Sequence, residues 1–294
     1  MMQTAKAILR RMMKSFMRLL KRKKPMDWVR FFAVWISAII TVSVLLYLVI
    51  FILVRGIPHI QPSLFETKYT SENQSLYPAL ITTLIMVGMT LVIAVPFGVF
   101  TAIYLVEYAK RGSRMVRMVR LTSETLAGIP SIVFGLFGYI FFANWLGWGK
   151  SLLSGCFTLA IMVLPLIMRT TEESLKSIPD SYREGSFALG AGKLRTVFRL
   201  ILPSAMPGIF AGIILSIGRI VGETAALIFT LGNVIQLPSS LYSQGRTLAL
   251  HVWQLAINGL YRDQAYATAV ILLVVVVGIN TLSSAIERRF KRKR

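Results

Sequence analysis

Arg219 and Glu223 stand four residues apart inside residues 211–230, AGIILSIGRIVGETAALIFT, a run of membrane-helix character. A charge deep in hydrocarbon costs from about 3 kcal/mol on insertion scales to more than about 10 in simulations, so it normally faces a partner or a water-filled cavity. On a continuous helix Glu223 lies one turn on from Arg219, on the same face. With about 1.5 Å of rise per residue, Arg219 sits roughly 18 Å beyond Pro207, near mid-membrane. Two roles suit the pair. It can neutralise itself and hold a bundle together, or it can line an anion path. A guanidinium offers a planar fork of donors matched to tetrahedral oxyanions and stays charged when poorly hydrated. A nearby carboxylate lowers the positive field, so that the anion is held weakly enough to leave. Arg169, Glu172 and Glu173 form a second group with two readings of its own, interfacial charge or permeation path, and Glu124 reads as an interfacial or capping residue.

The elements that must position these residues are membrane helices. The 294-residue chain is 55% apolar and 15% charged, too apolar for an ordinary soluble domain. Segments long enough to cross a bilayer, about 20 residues as helix, fall near 29–54, 78–106, 121–146, 151–169, 207–231 and 265–285. The net charge of +21 is not that of a nucleic-acid-binding face, because the basic residues cluster between apolar segments. Lys and Arg alternate along the chain: ten in residues 1–30, then two, five, one, six and two in successive connections, and six in the tail. Both termini are therefore expected in the cytoplasm. Arg219 is the one basic residue well inside a span. The expected organisation is a basic arm over 1–28, a six-helix permease-like domain over 29–286 and a basic tail over 287–294. Prolines and glycines such as Pro96, Gly98, Pro130, Gly135, Gly138 and Pro165 suit ordinary helix packing.

No catalytic constellation is visible. Cys156 is the only cysteine, and His59 and His251, the only histidines, fall in separate external loops. No metal, cofactor or catalytic residue is expected.

The fourth connection, about 171–206, contains more than a linker. Ser181 to Glu184 reads as a capping box, Gly190 and Gly192 end the helix it opens, and a second helix follows with Leu194, Val197, Phe198 and Ile201 on one side until Pro203 stops it. Glu184, Gly185 and Ser186, three residues, Gly190, nine residues, then Leu200, Ile201, Leu202 and Pro203 resemble the EAA loop of ABC importer permeases. Gly185 and Ser186 replace the usual alanines and Leu200 an isoleucine. The resemblance implies that the loop docks on a cytoplasmic ATPase and passes its motion to the membrane helices. The chain has no Walker motif of its own, since the decoy ending Gly149-Lys150-Ser151 has Asn144 in place of the first glycine. An ATPase partner is therefore implied.

The run Gly218 to Ala225 with Phe229-Thr230, the segment 128–138 and the segment 237–242 further resemble the phosphate-specific ABC permeases of the PstA type. What this resemblance implies is an all-α, MetI-like importer permease of six transmembrane helices in a prokaryotic cytoplasmic membrane. Its implied partners are a PstC-like permease, two PstB-like ATPases, a PstS-like phosphate-binding protein, inorganic phosphate and membrane lipid, with no nucleic acid. A carboxylate beside the arginine can accept a proton from hydrogen phosphate and none from sulfate, which leans the same way. Another oxyanion importer, for sulfate or molybdate, and an ion-coupled secondary transporter are the alternatives.

Overall fold

The computed structural model describes residues 25–70, 72–110 and 112–292. Among them all regular structure is helical. The chain divides into two units after Val54. Helix α1, Pro25–Gly56, lies mostly in the first and is apolar around its whole circumference, as suits a helix surrounded by lipid. The arm over residues 1–24 lies outside the described residues.

The second unit is built around α2 (Tyr77–Ile103), α5 (Leu152–Lys176) and α8 (Leu202–Gly222), with α5 packed against both others. The segment expected as a straight third span is two helices, α3 (Arg114–Gly128) and α4 (Ser131–Gly138, extended by a π segment to Trp145), bent by 104°. Pro130 is the cause. It disfavours helical backbone at the residue before it, and Ile129 is extended at φ −73°, ψ 131°. Among the described residues five helices are long and apolar enough to cross a membrane, and the bent pair makes six if it counts as one span.

Other sequence expectations also shift. The fourth span runs on to Lys176, absorbing the start of the expected loop. Helix α6, Asp180–Ala188, starts at Pro179 with no side-chain cap, so the Ser181–Glu184 capping box does not form. Gly190 does end it: φ is +80°, and the Ala191 amide donates to the Ser186 carbonyl at 3.1 Å. Pro203 stops nothing. Helix α7 (Lys193–Thr196) passes through a π turn at Val197–Ile201 directly into α8, so the chain stays helical across Pro203. Of the expected apolar stripe, Val197 and Ile201 are buried while Leu194 and Phe198 are exposed.

Beyond α8 come a short helix α9 (Ala225–Thr230), α10 (Leu248–Asn258) and α11 (Arg262–Arg292). Lipid is as apolar as leucine, so these helices are held by close van der Waals contact rather than by expulsion from water. Gly135 shows how close: a Cβ there would lie 2.7 Å from the Ala226 Cα, letting α4 lie directly on α9. Gly98 plays the same part between α2 and α5, where a Cβ would meet Ile167 at 2.8 Å. Buried hydroxyls of Thr82, Thr83, Thr158, Ser216 and Thr230 donate to carbonyls one turn back, so they enter the bundle satisfied.

Candidate functional site

Helices α3, α5 and α8 enclose a cavity of about 310 Å³ whose charged lining is Arg120, Glu124, Arg169, Glu172, Glu173, Lys176 and Arg219. Of the residues singled out from sequence as path residues, Arg219, Arg169, Glu172 and Glu173 thus come together, from two different helices. Glu223 does not join them. The helix carrying Arg219 ends at Gly222, and Glu223 is extended at φ −74°, ψ 128°. Its buried carboxylate instead accepts a hydrogen bond from the Ala226 amide at 3.1 Å, satisfying a free N–H in the first turn of α9. The expectation that both share one helical face fails because the backbone breaks between them.

Arg219 is left without a counter-charge. It lines the cavity, and among the described residues it makes no hydrogen bond or ion pair. The other cations are engaged. The Glu172 side chain, 8% exposed, accepts from Arg120 Nη2 at 2.5 Å and from Lys176 Nζ at 2.6 Å, while the more exposed Arg169 donates to Glu173, one turn on in α5, at 3.0 Å. Four cations face three carboxylates around the cavity, a net of one positive charge. Such a lining attracts an anion and offers carboxylates that compete for its donors. Arg120 and Lys176 are participants that the sequence reading treated as topology charges. Arg120 is placed by α3, and its Nε is buried with no partner among the described residues.

The residues resembling the EAA loop occupy one end of the bundle. Glu184 and Gly185 are exposed on α6, Ser186 Oγ lies 2.9 Å from Thr196 Oγ1, and Leu200, Leu202 and Pro203 are half-buried at the root of α8. Tyr182, Phe187, Leu189 and Leu194 expose large apolar surface there, Leu189 by 90%. Arg183 turns the other way, onto Glu107 of the π turn Tyr104–Tyr108 that follows α2. The hydrogen-bonded Glu107 carboxylate holds the Arg183 guanidinium above the ordinary arginine pKa, against the opposing effect of partial burial.

On the opposite side of the bundle, α10 carries the buried His251. Arg246 Nη1 donates towards its Nδ1 at 3.4 Å, which leaves Nε2–H facing the Gln74 carbonyl at 3.4 Å. Burial, helped by the Arg246 charge, pushes the imidazole down to about 4.

Residues 94–294 match the family described as binding-protein-dependent transport system inner membrane component. The probable ABC transporter permease protein YqgI of Bacillus subtilis is 31% identical over 261 residues, covering 82% of this chain and 88% of that protein. Phosphate transport system permease protein PstA 1 of Mycobacterium tuberculosis is 38% identical over 231 residues, covering 74% and 71%. Phosphate transport system permease protein PstA of Haemophilus influenzae is 31% identical, covering 84% and 88%. Among solved structures, a bacterial alginate ABC transporter in complex with a pentasaccharide-bound periplasmic protein aligns with a TM-score of 0.68 at 17% identity, covering 90% of this chain and 95% of that one. The inward-facing MetNI methionine ABC transporter aligns with a TM-score of 0.58 at 22% identity, covering 73% and 94%. At those identities the structures speak for the fold alone.

Proposed function

Since the chain belongs to the binding-protein-dependent transport system inner membrane component family, we propose that the substrate it passes is inorganic phosphate. It is a multi-pass membrane permease subunit of an ABC importer, and not itself an enzyme. In this reading a PstC-like subunit completes the path, two PstB-like ATPases drive it and a PstS-like protein delivers the anion. The observation that carries the substrate is Arg219, an unpaired guanidinium on a cavity with net positive charge, in a chain related over most of its length to phosphate permeases.

The chemistry follows from the lining. Arg219 presents donors to an oxyanion at no cost in broken ion pairs. Arg120, Lys176 and Arg169 can each exchange a carboxylate for a substrate oxygen, and Glu172 and Glu173 reclaim them as the anion leaves. The well is therefore shallow, as passage requires. Glu223 acts indirectly, by fixing the α8–α9 break beside Arg219. Alternation of Lys and Arg favours cytoplasmic termini with α6 on the cytoplasmic side, where Glu184, Gly190 and the exposed apolar residues would meet the ATPase.

Uptake of radiolabelled phosphate into proteoliposomes holding the purified complete transporter tests the reading. ATP-dependent phosphate accumulation is expected, with little sulfate or molybdate carried. Sulfate or molybdate carried in preference would assign another oxyanion. Phosphate uptake that persists without ATP would point to an ion-coupled carrier.

A further inference from the structure

Helix α6 is joined by backbone to α5 on one side and, through α7, to α8 on the other. It has no such link to α2. Its surface is almost wholly exposed, and within Asp180–Ala188 only Arg183 and Ser186 are not. Ser186 bonds back to Thr196, within the same loop. Arg183 reaches the end of α2, where it pairs with Glu107.

It does so with every donor it has. Nε donates to both Glu107 oxygens at 3.2 and 3.3 Å, and Nη2 to Glu107 Oε1 at 2.6 Å. Nη2 also donates to the Leu175 carbonyl at 3.1 Å, and Nη1 to the Ile178 carbonyl at 3.0 Å and to Asp180 at 3.2 Å. All five N–H groups are used, in a planar arrangement that a lysine cannot reproduce. The partners span three elements: the π turn after α2, the last turn of α5 and its continuation, and α6 itself. The side chains are 14% and 6% exposed, so the pair is shielded from solvent screening. The π turn brings Glu107 to this place, and π segments in α-helices are frequent at functional positions. Beside the fork lies a cleft of about 700 Å³, lined by Lys110, Val116, Phe187 and Lys193 among others. There α6 stands off from the helices behind it, and the fork bridges the gap.

We propose that Arg183 and Glu107 form the linkage by which displacement of α6 is passed to α2, the span that the loop does not pull through its backbone. Both are positioning residues, touching neither substrate nor nucleotide. The inference rests on the reading of α6 as the ATPase-facing element. A fork of this kind transmits push and pull alike, whereas apolar contact resists mainly compression.

The complete transporter in proteoliposomes, with phosphate-loaded binding protein, tests it through Arg183→Gln, Arg183→Lys, Glu107→Gln and the double variant Glu107→Gln with Arg183→Gln. The readouts are assembled yield, basal ATP hydrolysis, binding-protein-stimulated hydrolysis and phosphate uptake. Basal hydrolysis and yield are expected to persist, while stimulation and uptake fall by about tenfold in each Gln variant, in the range of mutational effects on coupling. The double variant should be no worse than either single, since each removes the same linkage. Arg183→Lys should restore only part, because the charge returns without the fork. Parental stimulation in assembled Gln variants, strictly additive losses, or failure of both single variants to assemble would each overturn the proposal, the last by assigning the pair to folding. Glu184→Lys and Gly190→Pro keep the underlying reading separate. If they too leave stimulation intact, α6 is not the coupling element. If they abolish it while the fork variants do not, only the linkage fails.

Discussion

Arg219→Gln removes the one cavity cation that has no partner among the described residues, and the structure makes its consequences asymmetric. No carboxylate is orphaned, and glutamine keeps a donor, so stability should change by no more than about 0.5 kcal/mol, as for substitutions away from paired groups. That corresponds to a melting shift of about 2 °C or less. Transport loses far more. One charge-assisted hydrogen bond contributes about 1.5–3 kcal/mol, which is roughly a tenfold to hundredfold fall in uptake, and a two-pronged contact would lie at the upper end. Glu172→Gln is the contrast, since it leaves Arg120 and Lys176 sharing a neutral amide and should lower thermal stability along with uptake. Arg219→Lys should recover part of the rate, because it restores the charge without the planar fork. The assay is phosphate uptake by the complete complex, run beside assembled yield and thermal unfolding. An Arg219→Gln complex that assembles normally and transports at the parental rate refutes the anion path. One that fails to assemble shows that the guanidinium holds the bundle after all.

Glu223→Gln keeps an oxygen for the Ala226 amide and should assemble and transport near the parental level, whereas Glu223→Ala should lose assembled yield; equal behaviour of the two would refute the capping role. His251 has a folded pKa depressed to about 4 from 6.5, so its contribution is complete above about pH 6.5 and is lost as pH falls towards 4. The total is about 3 kcal/mol, and thermal unfolding between pH 7 and 4 should lose that slope in His251→Gln. Cysteines at Tyr69 and Lys150 should react with an impermeant thiol reagent in intact cells while one at Gly190 is protected, over a low background because native Cys156 is buried; the reverse pattern would invert the topology.

The membrane helices are legible in the sequence because an apolar run of sufficient length has few other fates. Their interruptions are less so. The bend after Gly128 was written in Ile129-Pro130, where proline forbids continuation, yet hydropathy reads straight across it. The break at Glu223 carries no proline, and a helical reading of Gly222-Glu223-Thr224 violates no local rule; only the buried cap that Glu223 makes reveals it. Helix α10 is too short to read as a span and falls within a connection, although its two ends are marked. Thr247 accepts from the Leu250 amide at 3.4 Å, and Gly259 closes the helix at φ +70°. Arg219 stood out because it is basic within an apolar run. Arg120 did not, because in a cluster with Arg114 and Arg117 a count of charges hides which one turns inward. Glu107 and Arg183 are 76 residues apart, and no local pattern joins them.

The pairing of the cavity charges bears on how an importer releases what it attracts. At an effective dielectric of about 20, a unit charge 4 Å from a cation gains about 4 kcal/mol. Four unpaired cations would hold an oxyanion for times incompatible with turnover, since each 1.4 kcal/mol slows escape about tenfold. Glu172 and Glu173 withdraw three of those cations into ion pairs and leave Arg219 as the fixed attraction. Arg120 borders both this cavity and the cleft beside the Glu107–Arg183 fork. It sits on α3, Glu172 on α5, and the fork ties the end of α2 to α6 and the last turn of α5. A displacement of α5 against α3 would therefore alter the Arg120–Glu172 pair and free or recapture a donor at the proposed anion site. On the proposed reading, attraction and release are set by the same helices that α6 would move, and the chain would need no nucleotide site of its own to change its grip on the anion.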